Sequence, residues 1–220
     1  MGKYILGCLG LLIVGIIILA IIVGASWADS YNKLVKQSQG VDASWAEVQN
    51  QYQRRAQLIP NLVATVSGAA NFEKSTLIAV TDARASVGQV KIDPDHAPDN
   101  QADLDKYKAA QDSLGSAVSR LLVVSENYPN LRSDTNFVDL QAQLEGTENR
   151  IATARYGFNQ AVQAYNSTVQ GFPTNIVAGF SHFSTKPYFQ ADQGTQNAPQ
   201  VNFNFNNTAP ATTNAAPANP

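Results

Sequence analysis

Between Tyr4 and Ala25 the sequence reads YILGCLGLLIVGIIILAIIVGA, without a charged residue. At about 1.5 Å of rise per helical residue, such a run reaches across the roughly 30 Å hydrocarbon layer of a bilayer. Tyr4 and Trp27 bracket it, where amphipathic aromatics favour the membrane interface. A cleaved signal peptide would carry a shorter apolar region, about 7 to 15 residues, ending at a small-residue cleavage site. Residues 1–28 therefore read as a retained anchor. ILGC at 5–8 has the look of a lipobox, but too few residues precede Cys8 for a leader, and a membrane-embedded cysteine is the expectation. Ala20, Gly24 and Ala28 recur at four-residue spacing, a stripe of small residues suited to close packing between membrane helices. Lys3 before the run and Lys33 and Lys36 after it differ too little in positive charge to fix the orientation. The extracytoplasmic side is the working expectation for the soluble part.

Beyond the run, apolar side chains return at alternating three- and four-residue steps: Tyr31, Leu34, Val41, Trp45, Val48, Tyr52, Ile59, Leu62, Val66, Ala69, Leu77, Val80, Ala83 and Val87. This is one helical face, close to the 3.5-residue spacing of a coiled-coil seam. Ser38, Arg55 and Glu73 also fall on seam positions and interrupt it. No clear cap separates the anchor from Tyr31, so the first helix is expected to run straight out of the bilayer. VKIDPDHAPDNQ (90–101), with two prolines and several Asp and Asn residues, reads as a connection. A second pattern follows through Leu104, Tyr107, Leu114, Val118, Leu121 and Tyr128 to Pro129, and then a short turn with Ser133 or Asp134 as N-cap. The third pattern runs through Phe137, Leu140, Leu144, Ile151, Ala154, Phe158, Val162, Tyr165, Val169 and Phe172. Gly171 and Pro173 close it, and residues 174–183 suit a short helix.

Short connections between long helices favour antiparallel neighbours. The expected fold is all-α: an N-terminal transmembrane helix followed by an elongated antiparallel up-and-down bundle of three long helices plus a short one. The bundle occupies 29–183, an extended segment 184–205, and an Asn/Ala/Pro-rich tail 206–220. That tail cannot bury a core and is expected to be disordered. VNFNF at 201–205 is the single strand-like alternation.

Charged residues make up 15% of the 220 and the formal net charge is -2, which leaves no clustered basic face for nucleic acid. One cysteine excludes an internal disulfide framework, and His96 and His182 stand far apart with no second ligand at metal spacing. The chain carries no GxSxG, HExxH or GxxxxGK motif and no cysteine–histidine pairing. Glu145 and Glu148, one helical turn apart, read as a polar flank of the third helix rather than as a catalytic carboxylate pair. His182 reads as a surface residue near a helix end. The expectation is a non-enzymatic chain without cofactor or metal.

Arg54-Arg55 is the charge pair that needs an account, because Arg55 falls on the stripe of Tyr52 and Ile59. Glu148 and Arg155 flank the corresponding stripe of the third helix beside Ile151. A charge on a seam needs a partner, since an unpaired buried ion costs far more than a paired one. An inter-helix network that sets register is the preferred reading, and a docking site for an anionic ligand or partner is the alternative. Nearby, Pro60 disfavours helical backbone at the residue before it. Ile59-Pro60-Asn61 is thus expected to mark a kink or a restart, with the Asn61 side chain available to the broken turn.

Several blocks together resemble the LemA family of membrane-anchored helical proteins of bacterial envelopes. They are YNKLV (31–35), VDASWAEVQNQYQRRAQLIPNLVATV (41–66) and Ala83-Arg84, then ENYPNLRSDTNFVDLQAQLEGTENRIATAR (126–155), YNSTVQGFPTNIVAGF (165–180) and YFQADQGTQNAPQVNF (188–203, continuing to Phe205). The chain departs from the family at RYGFN (155–159), where a paired arginine and Tyr-Asn are usual, and in the tail beyond 206. The resemblance implies an α-helical bundle on a single span and no assigned reaction. Some family members take part in building intracellular bacterial membranes, and others occur beside membrane-embedded zinc metalloproteases. The expected function is accordingly a membrane-anchored scaffold of the bacterial cell envelope, bound to the lipid bilayer and self-associating or holding envelope partners, in membrane organisation. The alternative is an adaptor or regulatory subunit of a membrane-embedded metalloprotease.

Overall fold

Helix α1, Gly2–Ser67, runs unbroken from the apolar segment through the first seam of the bundle. The computed structural model describes residues 2–68 and 72–191. Among them five further helices follow: α2 (Lys74–Gln89), α3 (Gln101–Ser125), α4 (Pro129–Arg132), α5 (Thr135–Gln170) and α6 (Thr174–Phe180). The all-α class is as expected, and so is the missing stop between anchor and bundle.

One element differs. The periodic face that continues in the sequence to Val87 belongs to two helices: α1 ends at Ser67, Gly68 sits in a turn, and α2 begins at Lys74. The three-and-four stepping carries across Gly68 without a gap, so periodicity alone does not register the reversal. The bundle proper is therefore built on four helices, α1, α2, α3 and α5, in place of three long ones.

Two apolar clusters give the directions. In the cluster farther from the apolar run, Ile59, Leu62 and Val66 of α1 pack with Val80 and Ala83 of α2, Leu114, Val118 and Leu121 of α3, and Phe137, Leu140 and Leu144 of α5. In the nearer one, Leu34, Val41, Trp45, Val48 and Tyr52 of α1 meet Leu104 of α3 and Ile151, Phe158, Val162, Tyr165 and Val169 of α5. Thus α3 runs with α1, while α5 and α2 run against it. Trp45 is fully buried and anchors the nearer cluster, its ring centroid 5.3 Å from Tyr107, 5.6 Å from Phe158 and 6.1 Å from Phe189. Such aromatic pairs contribute about 0.5–1.5 kcal/mol each beyond their buried area.

The helix ends follow local chemistry. Asp134 caps α5, its carboxylate accepting from the N–H groups of Asn136 and Phe137 at 2.8 and 3.2 Å. Asn100 caps α3 by accepting from the Asp103 N–H at 2.9 Å. Pro129 opens α4 at a position where its missing N–H costs nothing. Helix α6 closes with His182 at φ 60 while the Phe183 N–H donates back to the Ala178 carbonyl at 3.0 Å, the left-handed closure that glycine more often supplies.

After α6 the chain is non-helical through residue 191. The expected VNFNF strand and disordered tail lie outside the described residues. Two stripe residues are displaced from their expected place: Tyr31, which opens the first pattern, is 42% exposed, and Phe172 is 83% exposed because α5 ends at Gln170 and the chain turns before it.

Candidate functional site

Arg55 is buried, with 3% of its surface exposed, at the junction of α1, α3 and α5. Its Nη1 donates to Glu148 Oε1 at 2.9 Å. Its Nη2 donates to both the main-chain carbonyl and the side-chain Oε1 of Gln111, each at 2.7 Å. Gly115 makes this possible, since a Cβ there would lie 3.3 Å from Arg55 Nη1. The guanidinium also stands 5.1 Å from the Tyr52 ring centroid, within cation–π range. Arg55 Nε and the Tyr52 hydroxyl find no hydrogen-bond partner among the described residues.

Around this junction Tyr52 and Tyr107 meet edge to face at 5.5 Å. Burial pushes the Tyr107 phenol up to about 12, with neighbouring Tyr52 adding to the rise and Gln111 opposing it. Burial likewise raises Tyr52, against the pull of Arg155 and Arg55. Both phenols therefore keep their protons across the ordinary pH range. Through Arg55 the arrangement hydrogen-bonds α1 to Gln111 of α3 and Glu148 of α5.

The structure joins Arg55 and Glu148 from the sequence candidates in a direct ion pair and places Arg155 near enough to act on Tyr52. Arg54 is exposed. Arg155 is half-buried and covers the Phe189 ring at 4.7 Å. Glu145 and Glu148 are both exposed, the former bound by Gln141 at 3.0 Å. His182 is exposed. Ala20, Gly24 and Ala28 are exposed along α1. Pro60 and Asn61 lie on the solvent face between buried Ile59 and Leu62, and α1 continues through them without restarting. The restart half of that expectation is corrected: α1 is one helix from Gly2 to Ser67 with Pro60 inside it. Pro60→Ala restores one donor to a continuous helix, and should raise unfolding stability by about 1 kcal/mol, net of the unfolded-state entropy that proline removes. Denaturant titration of the full chain in detergent checks this; a loss of stability would mean that the proline shapes α1 in a way the bundle requires.

A second polar junction was not legible in the sequence. Two asparagines of α5, seven residues apart, hold the chain that follows α6. Asn166 Nδ2 donates to the Lys186 carbonyl and the Lys186 N–H donates to Asn166 Oδ1, both at 2.8 Å. Asn159 pairs with the backbone of Phe189 in the same two-way fashion, at 2.9 Å for each bond. Each carboxamide thus replaces a neighbouring strand for one residue of extended chain. The Lys186 ammonium, itself largely buried, lies 3.2 Å from Asp99 Oδ1 and 3.7 Å from Asp42 Oδ1, while Asp42 also accepts from the Ala97 N–H at 3.0 Å. The available signal was the position of Asn159 and Asn166, directly after Phe158 and Tyr165 of the buried stripe.

The chain is 30% identical over 175 residues to magnetosome proteins MamQ 2 and MamQ 1 of Paramagnetospirillum magneticum, covering 73% of this chain and 64% of each relative. It therefore spans just under two thirds of the length of these curated relatives. It is also 21% identical over 162 residues to protein LemA of Metamycoplasma hominis, covering 74% of this chain and 69% of that protein. The LemA family profile matches residues 44–203, a span that contains Arg55, Gln111, Glu148, both asparagines and the segment they hold. The chain belongs to the LemA family.

Proposed function

We propose that this protein is a non-enzymatic, single-pass scaffold of the bacterial cell membrane that self-associates or holds envelope partners, in membrane organisation. The observation that carries this reading is the continuity of α1, which makes the apolar run and the spine of the bundle one rigid element. A partner bound to the bundle would then be held at a fixed height above the bilayer. Arg55 is engaged by the protein's own helices, which favours its register-setting role over docking of an anionic ligand. The relatives named as magnetosome proteins fit a part in organising membrane.

The test is crosslinking in native membranes followed by purification of the tagged full-length chain in mild detergent. A ladder of homo-oligomers, or a defined envelope partner, is the expected result. A metalloprotease recovered in stoichiometric amount would favour the adaptor reading, and a monomer without partners would sink the scaffold. Gly24→Leu keeps the span hydrophobic but blocks close approach along Ala20, Gly24 and Ala28. It should weaken the crosslinked species if the span carries the assembly; unchanged species would assign assembly to the bundle.

A further inference from the structure

Three large apolar side chains at the end of the bundle next to the apolar run are left in the open. Phe172 is 83% exposed, Phe180 74% and Ile176 47%. Phe172 sits in the turn after α5, and Ile176 and Phe180 lie one helical turn apart on α6. Their own stretch of chain supplies no charge: from Tyr156 to Thr185 the sequence contains no Asp, Glu, Lys or Arg. Large apolar side chains exposed together at one end of a fold mark a contact with a membrane or another protein.

What covers the patch follows from where α6 is docked. It packs against the last turns of the apolar run, where Ile22, Val23 and Trp27 of α1 share a groove with Pro173, Ile176 and Val177. The Trp27 and Phe180 rings meet at 5.7 Å. Because α1 is a single helix, its depth in a bilayer fixes the depth of everything packed against residues 22–27. With residues 4–25 in hydrocarbon, α6 and the turn before it are carried to the lipid–water boundary with Phe180 and Phe172 exposed. Interfacial helices bury such a face about 5–10 Å into the headgroup–acyl boundary.

We infer that α6 and the turn before it are a second membrane contact, in which Phe172, Ile176 and Phe180 enter the lipid–water interface beside the span. The inference rests on the membrane-anchored reading given above. It makes the end of the bundle, as well as the span, a lipid-binding element, and it fixes the angle at which the bundle stands by two points of attachment in place of one.

Site-directed nitroxide labelling in vesicles of phosphatidylcholine and phosphatidylglycerol tests it with the full-length chain. In a Cys8→Ala background, single cysteines are placed by Phe172→Cys, Phe180→Cys, Ile18→Cys in the span and Val123→Cys on α3. All four positions are exposed, so the fold should tolerate the label. Labels at 172 and 180 should lose accessibility to an aqueous nickel complex several-fold relative to 123. They should gain accessibility to oxygen, approaching that of 18. Nickel accessibility equal to that at 123, with 18 still in lipid, overturns the second contact and leaves the anchor standing. Protection from both reagents at 172 and 180 overturns it too, since protein would then cover the patch. A label at 18 open to nickel removes the anchor and the inference together.

Discussion

Arg55→Ala should lower the unfolding free energy of the full-length protein in detergent by about 3 kcal/mol, toward the lower end of what breaking a buried ion pair costs. The substitution removes the buried charge itself and leaves behind a half-exposed Glu148, which water can solvate. The remaining loss comes from Gln111, whose Oε1 is deprived of its donor in a buried position, and from the cavity left by the side chain among three helices. Glu148→Gln should cost about 1 kcal/mol, because Glu148 itself is half-exposed and an amide oxygen can still accept from Nη1 of the buried guanidinium. Denaturant titration followed by helical circular dichroism checks both. An Arg55→Ala loss within about 0.5 kcal/mol, the range of ordinary surface changes, would refute the structural role.

Asn166→Ala should free the extended chain after α6 at a cost of about 2 kcal/mol. Two hydrogen bonds to the Lys186 backbone are lost at once, and each buried peptide group left without a partner costs about 1–3 kcal/mol. The total stays near the lower end because the freed segment can detach and rehydrate. Amide hydrogen exchange is the direct readout, with protection lost at Lys186 and retained in part at Phe189, which Asn159 still holds. Asn166→Asp should give an intermediate result, since a carboxylate accepts from the Lys186 N–H but has nothing to donate to its carbonyl. Unchanged exchange at Lys186 in the alanine variant would show that the Lys186 ammonium, bound near Asp99 and Asp42, holds the segment by itself.

The sequence by itself determined the parts of this protein that depend on neighbours within a few residues. Apolar spacing identified buried positions from Leu34 through Val66 on α1 and from Phe137 through Val169 on α5, because helical periodicity is a property of the local backbone. The cap of α5 was legible as Ser133 or Asp134 for the same reason, and the structure selects Asp134, whose partners lie two and three residues away. The continuity of α1 out of the apolar run followed from the lack of a stop signal. Arg55 was legible as a charge that must be paired, since its seam position and the cost of burying an ion are both known in advance.

Only the tertiary structure decided who pairs with whom. Glu148, 93 residues from Arg55, was one of two charged candidates beside the stripe of α5, and nothing marked Gln111 of α3, 56 residues away, as the other partner. The reversal after Ser67 was hidden because alternating three- and four-residue steps continue across Gly68, although the two halves belong to helices running in opposite directions. Phe172 has the spacing of a core residue and ends outside the core, because spacing predicts burial only while the helix lasts. Asn159 and Asn166 bind backbone, which has the same chemistry at every residue and so leaves no mark in the segment they hold.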